Sequence, residues 1–118
     1  MNRIDHPDFF DVDLPALEAE FGDDGKFTEF LTLLDKAVFE VMKAPANEGA
    51  SLTRAPLAEY RKKKFHSMLR PPQGVSADMR LVYRCDRAQN TLYVLGVGHR
   101  HRFQSNDIYA RLNTRSPI

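Results

Sequence analysis

The sequence predicts an α+β fold in a single domain spanning 1–118, with an N-terminal helical hairpin packed on a small, mostly antiparallel sheet and a short C-terminal helix. Three observations predict it. A helical hydrophobic period is confined to the first half, strand-type patterning dominates the second, and 118 residues suffice for one hydrophobic core.

In the first half, Phe10, Val12 and Leu14 alternate with Phe9, Asp11 and Asp13, which predicts a short strand over 8–12. Asp13 then precedes Leu14-Pro15, a cap followed by an early-turn proline. Leu14, Leu17 and Phe21 share one face of the short helix this starts, which ends near Phe21-Gly22. Asp23 and Asp24 can cap a longer helix in which Phe27, Phe30, Leu31, Leu34, Val38 and Val41 recur at helical spacing, with Glu29, Lys36, Glu40 and Lys43 opposite. The stretch Ala44-Pro45-Ala46-Asn47-Glu48-Gly49 stops it.

The second half supplies the sheet. Leu57 to Phe65 reads as a strand despite the charged run Arg61-Lys62-Lys63-Lys64, and Leu69 to Asp78, with two prolines and a glycine, reads as an irregular loop. Met79 to Cys85 alternates, with Leu81, Tyr83 and Cys85 on one face and Arg80, Val82 and Arg84 on the other, exposed, face. After a hairpin loop, Thr91 to Gly98 is apolar on both faces, as a central strand covered on both sides should be. A last short helix starts at Asn106 or Asp107 and carries Ile108, Tyr109 and Leu112.

Composition narrows the functional classes. Hydrophobic residues make up 42% of the chain and charged residues 28%, and no 18-residue apolar run is present, so a globular, non-membrane protein is expected. The N-terminal residues carry no apolar stretch of the kind a secretory signal needs, and the single Cys85 has no disulfide partner in the chain. A cytoplasmic protein is expected, with Cys85 as a small core residue. The net charge of +1 conceals an asymmetry: residues 1–59 hold five basic and thirteen acidic side chains, a balance of −8, whereas residues 60–118 hold twelve basic and three acidic ones, a balance of +9. Either the second half faces a polyanion or the halves neutralise each other across the fold.

Features of the common enzyme classes are missing. Gly96-Val97-Gly98 lacks the third glycine and following helix of a dinucleotide-binding loop, and no serine nucleophile motif occurs. His99 and His101 stand two apart with no Cys or carboxylate beside them in the sequence, so no metal is expected where sites normally need three or four protein ligands. No cofactor is expected either. What remains is a set of cations on strands: Arg80 and Arg84 on one, His99-Arg100-His101-Arg102 at the end of another, and the lysine run on a third. Gathered on one sheet face they would bind phosphodiesters, and arginine or lysine there can stabilise a pentacoordinate phosphate while another group takes the 2′-hydroxyl proton.

The ordered set Met79-Arg80-Leu81-Val82-Tyr83-Arg84, a short turn, Leu92-Tyr93-Val94-Leu95-Gly96-Val97-Gly98-His99-Arg100, and then Ile108-Tyr109 resembles the C-terminal signature of RelE-like toxins in the RelE/ParE superfamily. Leu52 to Phe65 is similar to the family segment in which a proline-containing turn leads into a strand bearing alternating lysines or arginines. The resemblance implies a RelE-like fold and the toxin of a type II toxin–antitoxin system, an endoribonuclease that cuts messenger RNA in the ribosomal A site without a metal and leaves a 2′,3′-cyclic phosphate. It implies catalytic roles for Lys62, Lys64, Arg80, Arg100 and Tyr109, with Arg61, Lys63, Arg70, Arg84, His99, His101 and Arg102 as further RNA-binding candidates. It also implies a cognate antitoxin as partner, in a toxin–antitoxin hetero-oligomer.

Three departures from the family pattern stand in this chain. Matching Phe65 to the apolar residue that follows the family's lysine pair selects Lys62 and Lys64, the preferred register, while matching Tyr60 to its tyrosine selects Arg61 and Lys63. The interval from Arg100 to Tyr109 is longer than usual, and so is the loop from Leu69 to Asp78. The alternative functions are a ParE-like inhibitor of DNA gyrase and a catalytically inactive regulatory module of the same fold.

Overall fold

The computed structural model describes residues 1–22, 24–45 and 48–118. In chain order its elements are β1 (Asn2–Asp5), a π-helical turn (Phe9–Asp13) running into α1 (Leu14–Phe21), α2 (Lys26–Lys43), β2 (Ala50–Ser51), β3 (Arg61–Phe65), β4 (Met79–Asp86), β5 (Thr91–His99) and α3 (Ile108–Leu112). The architecture is α+β. One five-stranded sheet has the order β1-β5-β4-β3-β2; β1 runs parallel to β5 and the other pairings are antiparallel.

The expected strand over 8–12 is not formed. The first strand is Asn2–Asp5, and residues 9–13 are helical because their buried members, Phe9 and Asp13, stand four apart on one helical face while Phe10 and Val12 are exposed. Of the strand expected from Leu57 to Phe65, only Arg61–Phe65 pairs. Leu57 and Tyr60 sit in turns instead, both buried beneath the sheet. The longer helix starts from Gly25 at φ 80°, a left-handed conformation that glycine adopts without Cβ strain, rather than from an aspartate cap. Asp24 lies 3.3 Å from Lys26, and Asp23, the other expected cap, lies outside the described residues. The stop over Ala44 to Gly49 includes Ala46 and Asn47, also outside them. Asp107 caps α3 as expected, accepting the Tyr109 amide.

Two cores form. On one sheet face, α1 and α2 bury Leu17, Phe30, Leu34, Val38 and Val41 against Met79, Leu81, Tyr83, Leu92, Val94 and Val97, with Cys85 packed at the margin. The other face, covered at β5 as its two-sided apolar pattern predicts, was expected to be exposed at β4, yet α3 and the 52–60 segment cover it there too, enclosing Val82, Leu95, Ile108, Leu112, Leu57 and Tyr60. Arg80 is consequently buried, at 7% exposure, rather than solvated. No helix among the described residues is long and apolar enough to cross a membrane.

Candidate functional site

Strand alternation divides the lysine run between the two faces. Lys62 pairs with Val82 and Lys64 with Arg80, so both lysines belong to the α3 face, whereas Arg61 pairs with Tyr83 and Lys63 with Leu81 on the α2 face. Side-chain partners agree with this division. Lys63 Nζ lies 2.7 Å from Glu48 and 2.9 Å from Glu40 on α2, and these acceptors raise its pKa against the opposing effect of burial. Arg61 donates to the carbonyls of Glu48 and Gly49 and to Ser51 Oγ.

Among the described residues Lys62 has no such acid. Burial lowers its pKa, and Lys64, Arg80, Arg100 and Arg102, four cations close enough to repel it, lower it further. Arg80 is oriented by Nη1 donating to the Ala77 carbonyl at 2.8 Å and the Met79 carbonyl at 3.0 Å, while its buried Nε has no partner among the described residues. Tyr109 Oη is likewise buried and unpartnered. The Arg100 guanidinium stands 4.8 Å from the centre of the Tyr109 ring, in cation–π range. Burial raises the Tyr109 pKa, and Arg80 and Arg100 pull it partly back. Lys62, Arg100, Arg102 and Tyr109 line a cleft of about 490 Å³ with Leu57 and Phe103. Phe103 is wholly exposed and holds φ 64°, a backbone conformation uncommon for an aromatic residue.

Two aspartates position this cluster. Asp107 accepts from the amides of His101 and Tyr109 and from Arg100 Nη1, which ties the end of β5 to the start of α3. The fully buried carboxylate of Asp13 accepts from the Val97 amide, from Arg111 and twice from Arg115, and so fastens the last residues of the chain to the edge of β5. Close approach of α3 to β5 requires Gly96 and Gly98. A Cβ on Gly96 would stand 2.6 Å from Leu112 Cδ2 and 2.7 Å from both Arg115 and Asp13; one on Gly98 would stand 2.9 Å from Ile108.

Of the residues singled out in the sequence, Lys62, Lys64, Arg80, Arg100, Arg102 and Tyr109 come together. The others do not. Arg84 donates to the Ile118 carbonyl and stacks 4.3 Å from Tyr93, toward the far end of β4. Arg70 lines a separate groove with Phe21, Lys26 and Glu29. His99 packs against Phe21 of α1, with Nδ1 2.5 Å from Glu20 and Nε2 3.5 Å from Asp78; hydrogen bonding to Asp78 and then to Glu20 raises its pKa against burial. His101 lies beside His99, the rings tilted at 45° with centres 5.3 Å apart. Asp107 was legible only as a helix cap. Asp13, read as a cap for α1, makes no side-chain cap there, and nothing local in the sequence signals its bonds to Arg111 and Arg115 about a hundred residues away.

No family model matches the chain, and no curated protein matches it. Among solved structures it is similar to the solution structure of the conserved hypothetical protein HP0892 from Helicobacter pylori, with 26% sequence identity, a TM-score of 0.48, and coverage of 84% of this chain and 93% of that one.

Proposed function

We propose that the chain is a RelE-like toxin, an endoribonuclease that cleaves messenger RNA in the ribosomal A site and is silenced by a cognate antitoxin. The observation that carries this reading is the convergence of Lys62, Lys64, Arg80, Arg100 and Tyr109 on one side of the sheet, where Lys62 is hemmed in by cations and Asp107 is engaged by Arg100. A cluster of five cations in which only Arg100 has a paired acid among the described residues, and which contains a buried, backbone-oriented arginine, is costly in an apo protein and suits a phosphodiester.

In the proposed reaction the RNA 2′-oxygen forms a bond to phosphorus as the bond to the 5′-oxygen breaks, giving a 2′,3′-cyclic phosphate and a 5′-hydroxyl. Arg80 and Arg100 stabilise the charge gathered on the phosphorane. Lys62, whose depressed pKa eases loss of its proton, takes the proton from the 2′-hydroxyl. Tyr109, whose raised pKa keeps it protonated, donates to the departing 5′-oxygen. Phe103 offers a face on which a flanking base can stack. The antitoxin is expected to be an acidic or amphipathic segment that blocks Arg80 and Arg100, with β1 and β2 as open sheet edges for strand addition.

Brief induction in cells followed by mapping of transcript 5′ ends tests the reading. Codon-phased cuts bearing 5′-hydroxyls are expected, absent for Arg80→Ala. DNA damage without such cuts would replace it with gyrase inhibition. Co-expression with each flanking open reading frame tests for the antitoxin by growth rescue and co-purification.

A further inference from the structure

Histidines at 99 and 101 have no carboxylate beside them in the sequence, but the fold supplies two. Glu20 on α1 reaches the end of β5, and one ligand atom each from Glu20, His99 and His101 lies within 4.8 Å of the other two. His99 Nδ1 and Glu20 Oε2 are 2.5 Å apart, and Asp78 stands 3.5 Å from His99 Nε2. His101 Nε2 is buried without a hydrogen-bond partner among the described residues, although its own backbone amide is satisfied by Asp107. An imidazole nitrogen with no partner, beside a second imidazole and a carboxylate, is a ligand set awaiting an acceptor of its lone pair.

We propose that Glu20, His99 and His101 form a site for a divalent first-row transition ion of the zinc type. Neighbouring donor atoms around tetrahedral zinc stand roughly 3.3 Å apart, from metal–donor distances near 2.0–2.1 Å. The present spacings, from 2.5 Å to no more than 4.8 Å, bracket that value, so side-chain adjustments of about an ångström suffice. Two imidazoles and one carboxylate favour zinc and its late neighbours over magnesium or calcium, which take oxygen donors. Asp78, hydrogen-bonded to Ser67 and facing His99, is placed to orient that ring from outside the metal. The three ligands come from α1, the end of β5 and the loop after it, with Arg100 between the two histidines. An ion held there joins the helical layer to the segment that carries Arg100. The site stands independently of the proposed nuclease activity.

Titration calorimetry of the full chain with zinc chloride, supported by visible absorption after addition of cobalt(II), tests it. One equivalent of zinc is expected to bind and raise the melting temperature, with a tetrahedral cobalt spectrum. His101→Ala and Glu20→Gln should abolish binding, Asp78→Asn should weaken it about 10- to 100-fold, and His66→Ala, outside the cluster, should leave it unchanged. Absence of binding to the wild-type chain, or binding to His101→Ala as tight as to the wild type, overturns the proposal.

Discussion

Lys64 lies directly across the β3–β4 ladder from Arg80. Like charges in facing positions are destabilising by a few tenths of a kcal/mol to about 1 kcal/mol, so the pairing opposes folding unless an anion lies between them. The same register sends Lys62 to that face and Lys63 to the opposite one, where Glu40 and Glu48 hold it. Adjacent lysines therefore belong to different chemistries.

Substituting each in turn separates them. Lys62→Ala is expected to lower RNA cleavage about 100-fold or more with little change in stability. Lys63→Ala should leave cleavage within a few-fold and shift the urea midpoint downward, because Glu40 and Glu48 lose their shared cation. The reverse pattern would select the Arg61 and Lys63 register.

Arg80→Ala is expected to slow cleavage by about 10²- to 10³-fold, the usual loss when one fixed donor to a developing oxyanion is removed. Arg80 is buried and donates to the Ala77 and Met79 carbonyls, so some loss of stability should accompany it. Single-turnover cleavage measured beside a denaturation curve distinguishes the two effects. A well-folded Arg80→Ala protein with unreduced cleavage would remove Arg80 from the reaction.

Much of the sheet and the hairpin was legible because it rests on local periodicity. Phe30, Leu34, Val38 and Val41 announce α2, and alternation from Met79 to Cys85 announces β4. The α3-face cluster was legible for the same reason, since Lys62, Lys64 and Arg80 share a face through period-two geometry alone. What escaped depends on contacts remote in sequence. Phe9 and Asp13 mimic a strand until Arg111 and Arg115 are brought to Asp13, and Glu20 is an ordinary helix surface residue until β5 ends beside it. The burial of Arg80 was missed because Gly96 and Gly98, considered in the sequence only to exclude a nucleotide-binding loop, are the gap into which α3 packs.

Gly96→Ala should therefore act on the site through α3. The added methyl collides with Leu112, Arg115 and Asp13, an overpacking that costs about 1–3 kcal/mol and moves Tyr109 with its helix. Denaturation should register the cost. Cleavage should fall even at temperatures where the variant is fully folded, and unchanged activity in a destabilised protein would show that α3 does not position Tyr109 for catalysis.

Asp13→Ala is expected to be among the most destabilising single changes. Its side chain is fully buried and that of Arg115 is 3% exposed, so deletion leaves a buried guanidinium with only the more distant Asp8 carboxylate, 3.8 Å from Nε, at a cost of about 3–5 kcal/mol. Arg115→Met together with Asp13→Leu should recover only part of that loss: apolar groups replace the buried ion pair, but the Val97 amide and Arg111 still lose their acceptor. Urea melts of the single and double variants measure both quantities, and a cost under 1 kcal/mol for Asp13→Ala would mean that the last residues are not held by this contact.

The final prediction concerns the protonation of Lys62. Burial disfavours its ammonium form, and Lys64, Arg80, Arg100 and Arg102 disfavour it further, so the amine is reached at lower pH than in an ordinary lysine. If the neutral amine takes the 2′-hydroxyl proton, cleavage should rise tenfold per pH unit and level off once pH exceeds the depressed Lys62 value. Removing a neighbouring positive charge with Arg102→Gln relieves part of the repulsion and favours the ammonium form, so the Lys62 pKa must rise and the limb must move to higher pH. Titration of the Lys62 amine by NMR after isotopic methylation, with Lys62→Arg to assign the signal, reads the pKa directly. A midpoint at or above the ordinary lysine value, or a limb that moves to lower pH in Arg102→Gln, would exclude Lys62 as the base.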